Sequence, residues 1–384
     1  MPTTEQLLTP LRHCTDRARF LGTLQEAARA AIDVVAPQRS LSANEKDGTV
    51  TVAAHPGFNH CRLTRGAERQ VAERLGIPVA YADRLRADHP DLWAHNVSTL
   101  AQRDARTALY RMWQAEEGWV MRAVLSDRYE TYDNWSILQA LSGGLAAAGT
   151  ELAAMEVEAD LTPDRFRMRL ACPSVELAVP ELLEGYRYPF DARRTDTTHA
   201  PPPQGYTPPV LWAGLEISNS ETGNGAFQIV PRAVVLICRN GLTRTTDAIR
   251  AVHLGGRLEQ GLVQWSEETR RLNQELLTSK VVDAVRQFVS VDYLRRIVDD
   301  LRAAKGIEVA RPSEAVSRVQ VAAGLSEAET QAVMDAFLRG GDTTLFGLGQ
   351  AVTAAAQTVE SSDRQVEMEA AFWNIVGNAQ LAAA

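Results

Sequence analysis

Lysine is nearly missing from this chain. Among 384 residues only Lys46, Lys280 and Lys305 are lysine, so 40 − 3 = 37 of the basic residues are arginine. With the abundant alanine this reads as the codon bias of a GC-rich genome, and arginine content alone therefore identifies no ligand. Long apolar runs are missing as well. None approaches the ~20 residues that span a bilayer, so no membrane helix is expected. The opening MPTTEQLLTP has neither the basic nor the apolar region of a signal peptide, which makes the cytoplasm the expected compartment. Cysteine is scarce: Cys14, Cys61, Cys172 and Cys238 are scattered without a CxxC pair and read as small buried hydrophobes.

Catalytic signatures are also lacking. There is no Gly-x-Ser-x-Gly elbow. Gly223-Asn224-Gly225 lacks the lysine and the following helix of a phosphate-binding loop and reads as a turn. His55, His60 and Cys61 lie close together, with His13 and Cys14 earlier, yet they lack the paired spacing of zinc ligands. Asp127 and Asp133 are too few for a two-metal nuclease; Asp133 is placed to cap a helix start. No metal, no cofactor and no catalytic residue is expected.

What is present is an ordinary globular composition, 45% hydrophobic and 23% charged, long enough for a sizeable core. The net charge of −8 speaks against a generic nucleic-acid coat but leaves room for a local basic track. Charge is distributed unevenly. Gln228 to Leu258 carries five arginines and one acid, 5 − 1 = +4; Glu259 to Ala384 carries 12 basic and 18 acidic residues, 12 − 18 = −6.

The most patterned stretch runs from Val210 to Gly241. Leu211, Ala213, Leu215 and Ile217 alternate with Trp212, Gly214, Glu216 and Ser218, the period of a half-buried strand. Ser220-Glu221-Thr222-Gly223-Asn224-Gly225 is rich in residues that accept positive φ. Val234 to Cys238 then reads as the return strand. Ile217 to Gly223, followed by Cys238-Arg239-Asn240-Gly241-Leu242, resembles the signature of the phage/plasmid-like protein family, domain of unknown function 932. Arg122 to Tyr129 and Asp342 to Thr353 resemble two further pieces of that pattern, in the same order, from about Leu63 to Gly377. Gln350 and Arg239 depart from it, where asparagine and threonine are expected. The resemblance implies a setting among mobile elements and DNA, and no catalytic residues. Its extension to single-strand annealing proteins is analogy.

Periodicity along the rest of the chain predicts a helix over 15–35, a hairpin over 41–53 and helices between 65 and 103. It also predicts a strand over 118–126, a helix over 135–148 and a hairpin from 152 to 172. Residues 191–209, rich in proline, read as an irregular loop. Beyond Ser266 everything reads as helix, with Leu272, Leu276, Val281, Val282 and Val285 as its first buried face. The expected fold is α+β: a central, mostly antiparallel sheet, a helical N-terminal region and an all-helical C-terminal region. The expected divisions are 1–110, 111–262 and 263–384.

The arginines carry the functional expectation. Arg122 stands inside an apolar strand and needs either a buried acid or a phosphate. Arg239, Arg244, Arg250 and Arg257 follow the central strand. With Arg128, and with Trp119 and Tyr129 as stacking platforms, they would form a groove for single-stranded DNA, served by a homo-oligomer. One alternative is duplex binding by a helix-turn-helix at Val71 to Ile77 with Ala82 and Leu85, although Asp83 and Asp88 would oppose phosphates. The other is a non-catalytic phage structural or interaction protein using the acidic C-terminal helices.

Overall fold

The computed structural model describes residues 1–182, 210–235, 241–243, 249–251, 261–262, 266–359 and 361–382, with backbone alone at 241–243, 249–251 and 261–262. Two sheets form the centre, and a helical bundle closes one side. The chain opens with α1 (Thr4–Leu8), β1 (Leu11–Cys14), α2 (Arg17–Ala30) and β2 (Ala31–Pro37). Residues 31–35 are therefore strand, where periodicity alone predicts the end of a helix. Ile32, Val34 and Val35 are β-branched and fit a pleated surface better than a helix. Seven residues of β2 pair with β6 (Thr107–Ala115).

Between them lie β3 (Leu41–Ala43) and β4 (Val50–Val52), which form the expected hairpin, then β5 (Arg62–Leu63), α3 (Arg65–Arg74), α4 (Val79–Asp88) and α5 (Pro90–Gln102). β7 (Gly118–Ser126) follows β6 antiparallel. The second sheet is completed by β14 (Gly261–Leu262), giving the order β14-β2-β6-β7-β5; its β5–β7 pair is parallel. The N-terminal region is thus mixed: α2 to α5 carry the helices, and β2 to β5 are strands within it.

α6 (Asn134–Ala147) leads into the antiparallel sheet of β8 (Glu156–Leu161), β9 (Phe166–Ala178), β10 (Val210–Asn219), β11 (Phe227–Val235) and β12 (Gly241–Thr243). β1 pairs with β8 at one edge, and β13 (Ile249–Ala251) pairs with β11 beside β12. The return strand begins at Phe227, earlier than its apolar run, and so includes Pro231. β12 pairs with Arg232 to Val234 and β13 with Phe227 to Ile229, so on that side the proline falls in the gap between them, while on the other it stands opposite Leu215 of β10.

One face of β10 is apolar as expected: Leu211, Ala213, Leu215 and Ile217 are buried against α7 (Glu267–Phe288) and α8 (Val291–Lys305). On the other face Gly214 and Glu216 are buried while Trp212 and Ser218 are half-buried, and the Glu216 charge is paired across strands. Glu216 stands opposite Arg169 in register and takes Arg169 Nε at 3.3 Å and Arg167 Nε at 3.4 Å. α7 buries Leu277, Val281, Ala284, Val285 and Phe288, while Leu272 and Leu276 are each 51% exposed. The inward stripe starts at Leu277, five residues beyond Leu272.

α9 (Pro312–Ala323), α10 (Glu327–Gly340), α11 (Leu345–Ala356) and α12 (Ser362–Val376) complete the bundle. Asp342 to Thr353 is the entry to α11, every residue of which is buried. A Cβ at Gly347 would lie 2.0 Å from the Asp342 carbonyl oxygen, so only glycine fits that turn. Among the described residues no helix is long and apolar enough to cross a membrane.

Candidate nucleic-acid interface

The turn from Asn219 to Gly225 ties the two sheets together. Gly223 has φ +81°, and a Cβ there would sit 2.8 Å from Leu125. Ser220 Oγ donates to the Asp164 carbonyl at 2.7 Å, and Asn224 N donates to Ser220 Oγ at 2.9 Å. Asn219 Nδ2 donates to the Tyr132 carbonyl at 2.7 Å and to Asn134 Oδ1 at 2.8 Å. Gln70 of α3 bridges outward, donating to the Thr222 carbonyl at 2.6 Å and accepting from Val124 N of β7 at 2.8 Å.

Glu221 is the electrostatic centre of the turn. One carboxylate oxygen receives the Arg122 guanidinium; the other accepts from Asn134 N, the first amide of α6, at 2.6 Å. Asp133 occupies the N-cap position of α6, but its side chain takes Arg111 Nη2 at 2.6 Å and makes no cap bond. Arg111 also meets both Asp33 oxygens at 3.0 Å and the Glu221 carbonyl at 2.9 Å. Burial works against its charge, and Asp33, Asp133 and Glu221 together outweigh that and hold it protonated well above the usual range. Glu221 lies within the Ile217 to Gly223 motif, whereas Arg111 and Asp33 carry no motif of their own. The one signal is an arginine within an apolar strand, a feature Arg111 shares with Arg122.

The expected groove residues fall in different places. Arg122 is 1% exposed and pairs with the half-buried Glu221. Tyr129 points its hydroxyl inward, donating to the Ser220 carbonyl at 2.8 Å. Both are part of the inter-sheet joint, so neither presents its polar group to a strand. Trp119 is half-buried and stands edge-on to Phe58 with ring centroids 4.7 Å apart. Arg128 is exposed. Arg239, Arg244 and Arg257 lie outside the described residues, as does the Arg250 side chain. The backbone of Arg250 lies opposite Gln228, which lines a small recess with Arg165 and Arg167.

A different set of arginines does converge. A cleft of about 520 Å³ opens beside the turn, lined by Arg12 of β1, Arg65 and Arg69 of α3, and Arg165 and Arg167 at the β8–β9 turn. Arg65 and Arg69 are four apart, hence on one face of α3. Gly66 sits between them because a Cβ there would lie 2.6 Å from Asp164 Oδ1. That close approach sets the positive end of the α3 dipole against the cleft. Three acids line it as well, Glu73, Asp160 and Asp164. Two of these are engaged locally: Asp160 accepts from His13 N at 2.8 Å, and Asp164 from Thr222 Oγ1 at 3.3 Å. Arg12, Arg65 and Arg69 are exposed and make no ion pair among the described residues. Such a set can hold a chain of phosphates by bidentate contact.

Behind the cleft, His13 Nδ1 meets Glu158 Oε1, with Arg169 Nη1 on the same oxygen at 3.4 Å. The bond to Glu158 raises the His13 ring above its ordinary 6.5 in spite of burial, and Asp160 adds to the rise. Burial alone would raise the Glu158 carboxyl, but His13 and Arg169 reverse this and hold it at about 2. A raised histidine stabilises the fold fully below pH 6.5, and the contribution is lost as pH rises through the folded value. The depressed Glu158 contributes above its ordinary 4.5, and that is lost only as pH falls towards 2. The melting temperature is therefore expected to fall as pH rises above 6.5 through the raised His13 value, and His13→Gln to flatten that fall. Thermal denaturation across this range, with both proteins, checks it.

Among the described residues no three His, Cys, Asp or Glu side chains come together as a metal site. Cys61 is buried and pushed up to about 12 by desolvation, which makes it a poor ligand or nucleophile. Compared with protein-family models, curated proteins and solved structures, the chain matches none of them.

Proposed function

We propose that the protein binds single-stranded DNA through the arginine cleft, as a homo-oligomeric strand-binding or annealing protein of a phage or plasmid acting in the host cytoplasm. The observation that carries this is the convergence of Arg12, Arg65, Arg69, Arg165 and Arg167 in one recess on a chain of net charge −8. A recess of that size admits one sugar–phosphate backbone; a duplex would need an element that projects into its groove. α4, the second helix of the pair that could do so, carries Asp83 and Asp88, and its Arg86 is bound to Glu68. The resemblance to phage/plasmid-like proteins belongs to the same proposal and supplies its setting.

The test is a titration of labelled single strand and of duplex at several salt concentrations. Single strand is expected to bind more tightly, with log K falling steeply as log salt rises, by about 0.7 for each phosphate neutralised. Light scattering in the same titration reports the expected assembly. Absent or salt-insensitive binding removes the reading, and tighter binding to one duplex sequence transfers it to α3 and α4.

A further inference from the structure

A second cavity, of about 390 Å³, adjoins the arginine cleft and shares Thr162, Asp164 and Arg165 with it. Its size falls at the lower end of small-ligand sites. Its charge balance is opposite to that of the cleft. Glu5, Glu26, Asp164 and Glu221 line it with Arg19 and Arg165, and with Glu221 already held by Arg122 three acids remain against two bases. A phosphate is disfavoured there, and an uncharged group that can donate to a carboxylate is favoured. Two tryptophans also line it, Trp113 of β6 and Trp135 of α6. Trp135 is half-buried. Trp113 is 4% exposed, and its buried indole N–H meets no acceptor among the described residues. An indole nitrogen can only donate, so its unmet need is for an acceptor on something else.

We infer that this cavity receives one base of a strand whose phosphates lie in the arginine cleft. A nucleobase is flat and uncharged and suits an aromatic wall. Its exocyclic amine, where present, has carboxylates to meet. The two recesses then divide one nucleotide by chemistry: anionic backbone among the exposed arginines of the cleft, neutral base among tryptophans and acids. The inference rests on the strand-binding reading of the cleft.

The test compares a short oligonucleotide with an abasic backbone of equal length, by fluorescence anisotropy on the full chain. The base-bearing strand is expected to bind the wild-type protein about tenfold more tightly, the scale of one aromatic stacking contact. Trp135→Ala is expected to erase that advantage by weakening only the base-bearing strand, while Trp135→Phe keeps most of it. Equal binding of both strands to the wild-type protein overturns the base site and leaves the strand reading standing. So does an advantage that survives in a folded Trp135→Ala protein. Binding of neither strand overturns both. Should Trp135→Ala fail to fold, the wild-type comparison and Trp135→Phe decide the matter.

Discussion

Replacing Glu221 by alanine is expected to destabilise the fold by about 3–5 kcal/mol, the range for removing one partner of a buried ion pair. Arg122, 1% exposed, would keep its charge and lose its carboxylate. Among the described residues Nε and Nη2 of Arg122 already lack hydrogen-bond partners, and its guanidinium lies 5.1 Å from the Trp113 ring. α6 would lose the acceptor for its first amide at the same time. Urea denaturation followed by circular dichroism measures the loss. Arg122→Met alone should cost a comparable amount, because it strands the carboxylate instead. The double variant Glu221→Gln/Arg122→Met should recover much of the loss, since the glutamine carbonyl still accepts from Asn134 and no buried charge remains. A Glu221→Ala protein within about 1 kcal/mol of wild type would mean that the turn is a surface loop and does not join the sheets.

Arg65→Ala/Arg69→Ala should show the reverse profile, losing binding and keeping stability. Both side chains are exposed and make no ion pair among the described residues, so the cost in stability is expected to stay within about 0.5 kcal/mol. Strand affinity should drop on the order of tenfold or more at low salt. The slope of log K against log salt should shrink by about 1.4, roughly 0.7 for each of two lost phosphate contacts. Anisotropy titrations at three or more salt concentrations give both quantities. A folded double variant with unchanged affinity and slope would remove the cleft as the contact surface. Attention would then pass to the arginines of 236–258, four of which the charge count over Gln228 to Leu258 already marks.

Much of the architecture was legible because local rules decide it. The alternation of β10, the hairpin of β3 and β4, the helical C-terminal region and the positive φ of Gly223 all follow from two-residue or 3.6-residue periods and from glycine's freedom. The misjudged boundaries mark where a local rule has a rival. Ala31 to Val35 continues a helical spacing, yet its β-branched residues find a partner in β6. Pro231 argues against a strand until the neighbours on that side turn out to be two short strands with a gap between them.

The charged residues divide differently. By itself the sequence determined that Arg122, set in an apolar strand, had to find a counter-charge or a phosphate, because a guanidinium does not shed its proton to enter a core. Only the tertiary structure decided which. The answer is Glu221, 99 residues away, brought opposite by the closure of one sheet on the other. The arginine cleft has the same origin. Arg12, Arg65, Arg69, Arg165 and Arg167 lie on β1, on α3 and at the β8–β9 turn with the start of β9, and no spacing in the chain relates one of these elements to another. Periodicity tells which face of an element a side chain occupies. Which faces meet depends on strand register and sheet packing, and those are settled by contacts distant in sequence.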